Sequence, residues 1–207
     1  MKEAIEVIRT GEARLFSVQY EGSTAASEEP ICGGSSEVFV EPMFAPLTLY
    51  IFGAGHVGQA LARIGKTVGF RIVVIDDRQE FANKTRFPDV DDILLIDYGE
   101  ARVRVNLSPK SCVVIITHGH KSDLEILRSF IQCDLEYIGM IGSKRKVEEI
   151  FATLRKDGIS NELLKRVHAP IGLDIGADTP AEIAVSIIAE IIAETKKKLL
   201  RAEPKCV

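Results

Sequence analysis

Gly53-Ala54-Gly55-His56-Val57-Gly58 sets three glycines in the spacing GxGxxG. Alone the pattern is weak. Here it follows an apolar run suited to a strand and opens a segment of helical spacing, and that setting makes it a phosphate cradle. The first glycine allows a tight turn, the second lets backbone approach a phosphate, and the third lets helix and strand pack closely. Free N–H groups at the helix start, aided by the helix dipole, then face the anion. Gly53, Gly55, His56 and Gly58 are therefore candidate cofactor-binding residues. Asp76 ends the next apolar run, near the spacing at which an acid meets a ribose hydroxyl. An acid there favours an unphosphorylated ribose, while Arg78 leaves a 2′-phosphate open. The competing readings are a glycine turn that binds nothing and an aspartate that caps a strand end.

Two further loops carry unusual chemistry. Thr117-His118-Gly119-His120-Lys121-Ser122-Asp123 follows the fourth expected strand, and Gly142-Ser143-Lys144-Arg145-Lys146 follows the fifth. In the second loop three cations open a helix, where the dipole disfavours positive charge, so an anion is expected to receive them. Ser143 can cap that helix, and Ser143, Lys144 and Arg145 join the candidate binding residues. A solvated basic patch is the plain alternative. His118, His120 and Asp123 resemble part of a zinc site of the metallo-β-lactamase type. The chain has only 4 histidines, and such sites need more ligands than this loop holds, so no metal site is expected. The pair is read instead as positioning or polarising a bound ligand, or as lining the pocket. Cys32 is followed by Gly33 and Gly34, which leave its thiol accessible in a flexible loop. Read from its residues alone, it is an ordinary free thiol.

These residues need a frame that brings strand ends together. A boundary is expected near Pro42-Met43-Phe44-Ala45-Pro46, where two prolines favour an extended linker. Residues 1–45 form a small α+β appendage, with a helix over 2–10, strands over 13–20 and 36–41, and a loop between. Residues 46–207 alternate strand and helix. Strands are expected at 47–52, 70–75, 92–96, 112–117 and 137–141, and helices at 56–68, 122–132, 143–156 and 180–199. A short strand or extended segment is expected over 167–173. That order predicts a Rossmann-like, doubly wound parallel sheet. In such a sheet, ligands gather outside the carboxyl ends of the strands, where the three loops lie.

Composition narrows the function. A formal net charge of -4 across 207 residues argues against nucleic acid or a membrane surface as partner. No apolar run approaches the roughly 20 residues that span a bilayer, and the first ten residues lack a signal-peptide core. The 4 cysteines contain no CxxC pair. Free thiols and a cytoplasmic location are expected. The small first segment is expected to need a neighbour to complete its core, which makes a homodimer reasonable.

Taken in order, six blocks resemble the XdhC/CoxI family: Cys32-Gly33-Gly34 leading to Glu37–Pro42; Gly53–Gly58; Asp76-Asp77-Arg78; Thr117–His120; Tyr137–Lys146; and Pro170–Pro180. The resemblance implies a cytosolic accessory chaperone that binds the molybdenum cofactor, as molybdopterin or its dinucleotide form. It also implies help with sulfuration and insertion into an apo molybdenum hydroxylase of the xanthine dehydrogenase type, with a sulfurtransferase as second partner. Cys32 would then be the thiol near the molybdenum or the sulfur-transfer path, since a thiolate is a soft ligand. His118 and His120 are the other candidate catalytic residues. The family usually has Asp between these histidines, and this chain has Gly119. The alternatives are an NAD(P)-dependent oxidoreductase, which lacks a convincing substrate domain here, and a non-catalytic nucleotide-sensing module.

Overall fold

The computed structural model describes residues 2–19, 34–43 and 46–202. The chain divides into two compact units, Met1–Ala45 and Pro46–Val207. The first holds α1 (Lys2–Thr10), β1 (Arg14–Gln19) and β2 (Ser35–Val40). The two strands pair antiparallel, with Leu15 opposite Phe39 and Phe16 opposite Val38. Val7 is buried. Cys32 and the loop around it lie outside the described residues.

The second unit contains β3 (Thr48–Phe52), α2 (His56–Thr67), β4 (Arg71–Asp76), β5 (Asp92–Leu95), α3 (Ala101–Arg104), β6 (Ser111–Ile115), α4 (His120–Phe130), β7 (Tyr137–Met140), α5 (Lys144–Lys156), α6 (Asn161–Lys165), β8 (Val167–His168) and α7 (Pro180–Ala202). Its six strands lie in the order β5-β4-β3-β6-β7-β8, and every pair is parallel. The sequential order reverses where β3 meets β6, with Phe52 opposite Ile115. That reversal opens a crevice beyond the carboxyl ends of these two strands. No helix among the described residues is long and apolar enough to cross a membrane.

The period-2 alternation of each strand feeds two cores. Leu49, Ile51, Ile72, Val74 and Val114 pack with Leu61 of α2 and Ile187 of α7. Phe52, Val73, Ile75, Val113 and Ile115 turn to the other side, with Leu127 of α4 and Ile150 of α5. Burying each such side chain contributes about 1.5–3 kcal/mol. Residues 77–91, between β4 and β5, hold no helix. Phe81, Phe87 and Val90 instead reach the α2-side core from a series of turns. The helix expected to start at Ser122 begins two residues earlier, at His120. The short helices over 98–104 and 161–165 were not legible, because one turn shows no period.

α7 starts as its sequence predicts. Glu182 accepts from the backbone N–H of Asp178 and Thr179 at 3.0 and 2.9 Å, and Thr179 Oγ1 accepts from Glu182 N–H at 3.3 Å. This is a reciprocal capping box. Thr179→Ala is expected to cost about 1 kcal/mol in urea denaturation, the usual value of such a cap. A loss below a few tenths would show that α7 is held by its packing alone.

Candidate functional site

The glycine turn takes the shape its spacing demands. Gly53 has φ +120°, and a Cβ there would lie 2.4 Å from the Ile116 carbonyl oxygen. A Cβ on Gly58 would lie 2.1 Å from the Gly53 carbonyl oxygen. Gly55 differs, because a Cβ there would meet nothing within 4 Å. Gly53 and Gly58 permit the fold, and Gly55 keeps open the space in front of the helix. Gly55 is the N-cap of α2, and no side chain caps it. The first helical bond runs from Gln59 N–H to the Gly55 carbonyl at 2.9 Å. The amides of His56, Val57 and Gly58 thus have no acceptor among the described residues. The His56 side chain is exposed and does not plug the cradle. A phosphate-bearing group fits here: free donors, a positive dipole end and clear access coincide.

Asp76 stands behind this turn. Its carboxylate is fully buried and its oxygens are already engaged. Oδ2 accepts from Ala54 N–H at 2.7 Å, and Oδ1 from Arg78 N–H at 3.1 Å. The Arg78 guanidinium spans both oxygens at 2.8 and 2.9 Å, and also lies 3.9 Å from the Phe81 ring centroid. Burial pushes the Asp76 carboxyl up, but the Arg78 guanidinium and the two backbone N–H groups outweigh it and hold the carboxyl below its usual range. Sequence reasoning offered Asp76 to a ribose and Arg78 to a phosphate. In the structure these two hold each other and brace the glycine turn. The accessible carboxylate is Asp77, with a side chain 35% exposed. Partial burial and the neighbouring Asp76 raise its carboxyl, and His118 lowers it somewhat. Spacing did not single out Asp77, because which of two adjacent acids faces inward depends on the strand's final turn.

Across the crevice, β6 runs into Thr117. Asp123, fully buried, accepts from Thr117 Oγ1 at 2.5 Å and from Lys146 Nζ. It thereby ties the start of α4 to the start of α5. His118 and His120 are exposed and diverge. His118 acts on Asp77 on one side, while His120 Nδ1 lies 4.0 Å from Glu149 on the other. Among the described residues, no group of three or more His, Cys, Asp or Glu is placed to hold a metal ion.

The basic opening of α5 divides its labour. Ser143 Oγ accepts from Lys146 N–H at 3.2 Å, the expected cap. Lys146 pairs with Asp123. Arg145 donates to Glu149 at 3.0 Å and is 90% exposed. Lys144 is exposed, and no partner holds it among the described residues. Of the three cations, Lys144 is the one available to an incoming anion. The sequence-predicted residues of the Rossmann unit thus lie in the loops that follow β3, β4, β6 and β7, with Asp76 and Arg78 engaged with each other. Cys32 lies outside the described residues.

The chain is similar to known proteins. The XdhC Rossmann domain model matches residues 49–191. The chain is 33% identical over 178 residues to YqeB of Escherichia coli (strain K12), an uncharacterized protein, covering 86% of this chain and 32% of that one. It is 28% identical over 143 residues to a probable xanthine dehydrogenase subunit of Bacillus subtilis (strain 168), covering 69% of this chain and 41% of that one. A crystal structure described as a xanthine dehydrogenase from Bacillus halodurans superposes with a TM-score of 0.66 at 26% identity, covering 99% of this chain and 64% of that one. The chain therefore spans between a third and about two-fifths of the length of the curated relatives it matches. With the strand order, the glycine turn and the family match in agreement, the chain belongs to the XdhC family and folds as its Rossmann domain.

Proposed function

We propose that the chain is an accessory protein that binds the molybdenum cofactor and assists its sulfuration and insertion into a molybdenum hydroxylase of the xanthine dehydrogenase type. The observation that carries this reading is the unfilled amide cradle of His56, Val57 and Gly58, in a domain of the XdhC family. The bound cofactor supplies the redox-active molybdenum and a phosphate for the protein to grip. The three amides hold that phosphate, Gly55 keeps the approach clear, and Lys144 adds positive charge on the far rim. Asp77 and His118 flank the crevice and present hydrogen-bonding groups to whatever the cradle orients. Cys32 is the proposed thiol of the sulfur path, a sulfurtransferase and the apo-hydroxylase are the proposed partners, and the cytoplasm is the proposed place. A homodimer is proposed as well, because a two-stranded sheet is marginal by itself.

Gly55→Ala tests the cradle. Its φ of -67° suits alanine, and the added methyl enters open space, so the variant is expected to fold and melt within about 1 kcal/mol of wild type. Molybdopterin binding, followed by titration of the purified chain, is expected to fall at least about tenfold, as when a preorganised anion seat loses its close approach. Unchanged binding would remove the seat. A second reading, an NAD(P)-dependent oxidoreductase, draws on Asp77, whose accessible carboxylate stands at the end of β4 where a ribose hydroxyl would meet it. NAD binding that is lost in Asp77→Asn, with hydride transfer to a small carbonyl, would favour it.

A further inference from the structure

On the outer side of α2 the chain forms a hollow of about 280 Å³, walled by Gln59, Arg63 and Lys66 of α2 and by Arg86 and Asp89 of the turns before β5. Gln59 joins the two walls, since its Nε2 donates to the Arg86 carbonyl at 2.9 Å. Arg63 stands one helical turn beyond Gln59, on the same face of α2. Gly55, His56, Val57 and Gly58 take no part in these walls, so the hollow is separate from the amide cradle. Three cations line it, and one is spent: Lys66 Nζ donates to both oxygens of Asp91 at 2.9 and 2.8 Å. Arg63 is exposed, and its side chain has no hydrogen-bond or ionic partner among the described residues. Arg86 donates from Nη2 to the Ala54 carbonyl at 3.3 Å, and no carboxylate pairs with it among the described residues. Its Nε is buried and has no acceptor there. Arg78 makes the contrast. Arg78 and Arg86 lie 3.9 and 5.1 Å from the centroid of the same Phe81 ring, yet only Arg78 has a buried carboxylate, Asp76. Asp89 is the one acid in the walls, and it is exposed.

A buried charged donor without an acceptor is costly, and a missing ion is one of the few things that explain it. Arg86 lines the hollow, so an acceptor that enters there meets its guanidinium. Two guanidinium groups, each a planar fork of N–H donors, favour an oxyanion with several acceptor oxygens. A phosphate brings up to two negative charges, one for each unpaired arginine, whereas a simple carboxylate brings one. The cavity, at about 280 Å³, falls just under the range of roughly 300–1,000 Å³ that holds drug-sized ligands, so its occupant is small. We propose that this hollow is an anion site, apart from the amide cradle, in which Arg63 and Arg86 hold a phosphate group, either the free ion or the end of a small phosphomonoester. Asp89 opposes the anion and keeps the affinity modest. The site stands independently of the cofactor reading above, because none of the three cradle amides belongs to it.

The test titrates the full chain with inorganic phosphate, glycerol 3-phosphate and acetate by calorimetry. Wild type is expected to bind inorganic phosphate, and acetate at least about tenfold more weakly. Arg63→Gln, at an exposed position, is expected to weaken phosphate at least about tenfold, the worth of a hydrogen bond to a charged group. Arg86→Gln is expected to do the same. Should its loss of the Ala54 contact unfold the turn, Arg63→Gln and Asp89→Asn still decide the matter. Asp89→Asn removes the opposing charge and is expected to tighten phosphate about threefold, the scale of an exposed charge interaction. Either order of the two phosphates upholds the site: tighter glycerol 3-phosphate identifies a monoester as the occupant, and tighter inorganic phosphate the free ion. No phosphate binding to wild type, acetate as tight as phosphate, or an affinity for phosphate that ignores Arg63→Gln overturns the proposal. Phosphate binding that is lost in Gly55→Ala but kept in Arg63→Gln belongs to the amide cradle, which overturns this site and leaves the cofactor reading standing.

Discussion

Gly58→Ala is expected to destabilise the Rossmann unit by about 3 kcal/mol, at the upper end of the cost of overpacking. The added Cβ would sit 2.1 Å from the Gly53 carbonyl oxygen and 3.2 Å from its carbon. Both neighbours are backbone, so no side chain can swing aside. The start of α2 must lift from the turn, or the turn must open. Either change disturbs Gly53, whose own N–H donates to the Ile75 carbonyl at 2.8 Å. Urea unfolding followed by circular dichroism measures the loss, and a cost under 1 kcal/mol would mean that the turn relaxes freely. Set beside Gly55→Ala, the variant separates two roles within one motif. Gly58 is required for the helix to lie against the strand, and Gly55 for a ligand to reach the helix.

Asp76→Ala is expected to cost about 3 kcal/mol, in the range for breaking a buried ion pair by removing one partner. It strips the Ala54 N–H of its acceptor and leaves the Arg78 guanidinium, 26% exposed, with only the Asp77 carboxylate at 3.7 Å. The lost hydrogen bond is the one that fixes the second residue of the glycine turn. The effect depends on pH. The folded carboxyl lies below its unfolded value, so its stabilisation is complete above the unfolded pKa of about 3.9. It fades as pH falls through the lower folded value. Asp77 runs the other way, because its folded carboxyl is raised and the folded state gains from its protonation as pH falls. The gap in stability between wild type and Asp76→Ala is therefore expected to be constant from pH 7 to about 5 and to narrow progressively below about 4. A gap of the same size at pH 3 would count against the buried pair as its source.

Much of this was legible in the order of residues. Apolar runs at Leu47–Phe52 and Phe70–Ile75 read as strands buried on both faces, and both strands lie inside the sheet. The serine cap at Ser143 was read from a few neighbouring residues and formed as read. The crossover 77–91 was less legible. Phe81 and Phe87 pack into the core there from turns that carry no periodicity, so nothing local marks them as core.

Local interactions explain what the sequence alone determined: strand and helix order, the glycine turn, the caps, and membership of an α/β class all follow from patterns spanning a few residues. The tertiary structure decided which charges are spent and which are free. Asp76 meets Ala54 across 22 positions of chain and Lys146 meets Asp123 across 23, and no short-range rule pairs residues that far apart. Only the packed sheet turns Asp77 outward, commits Arg78 and Lys146 to buried carboxylates, and leaves Lys144 and the amides of α2 facing open space.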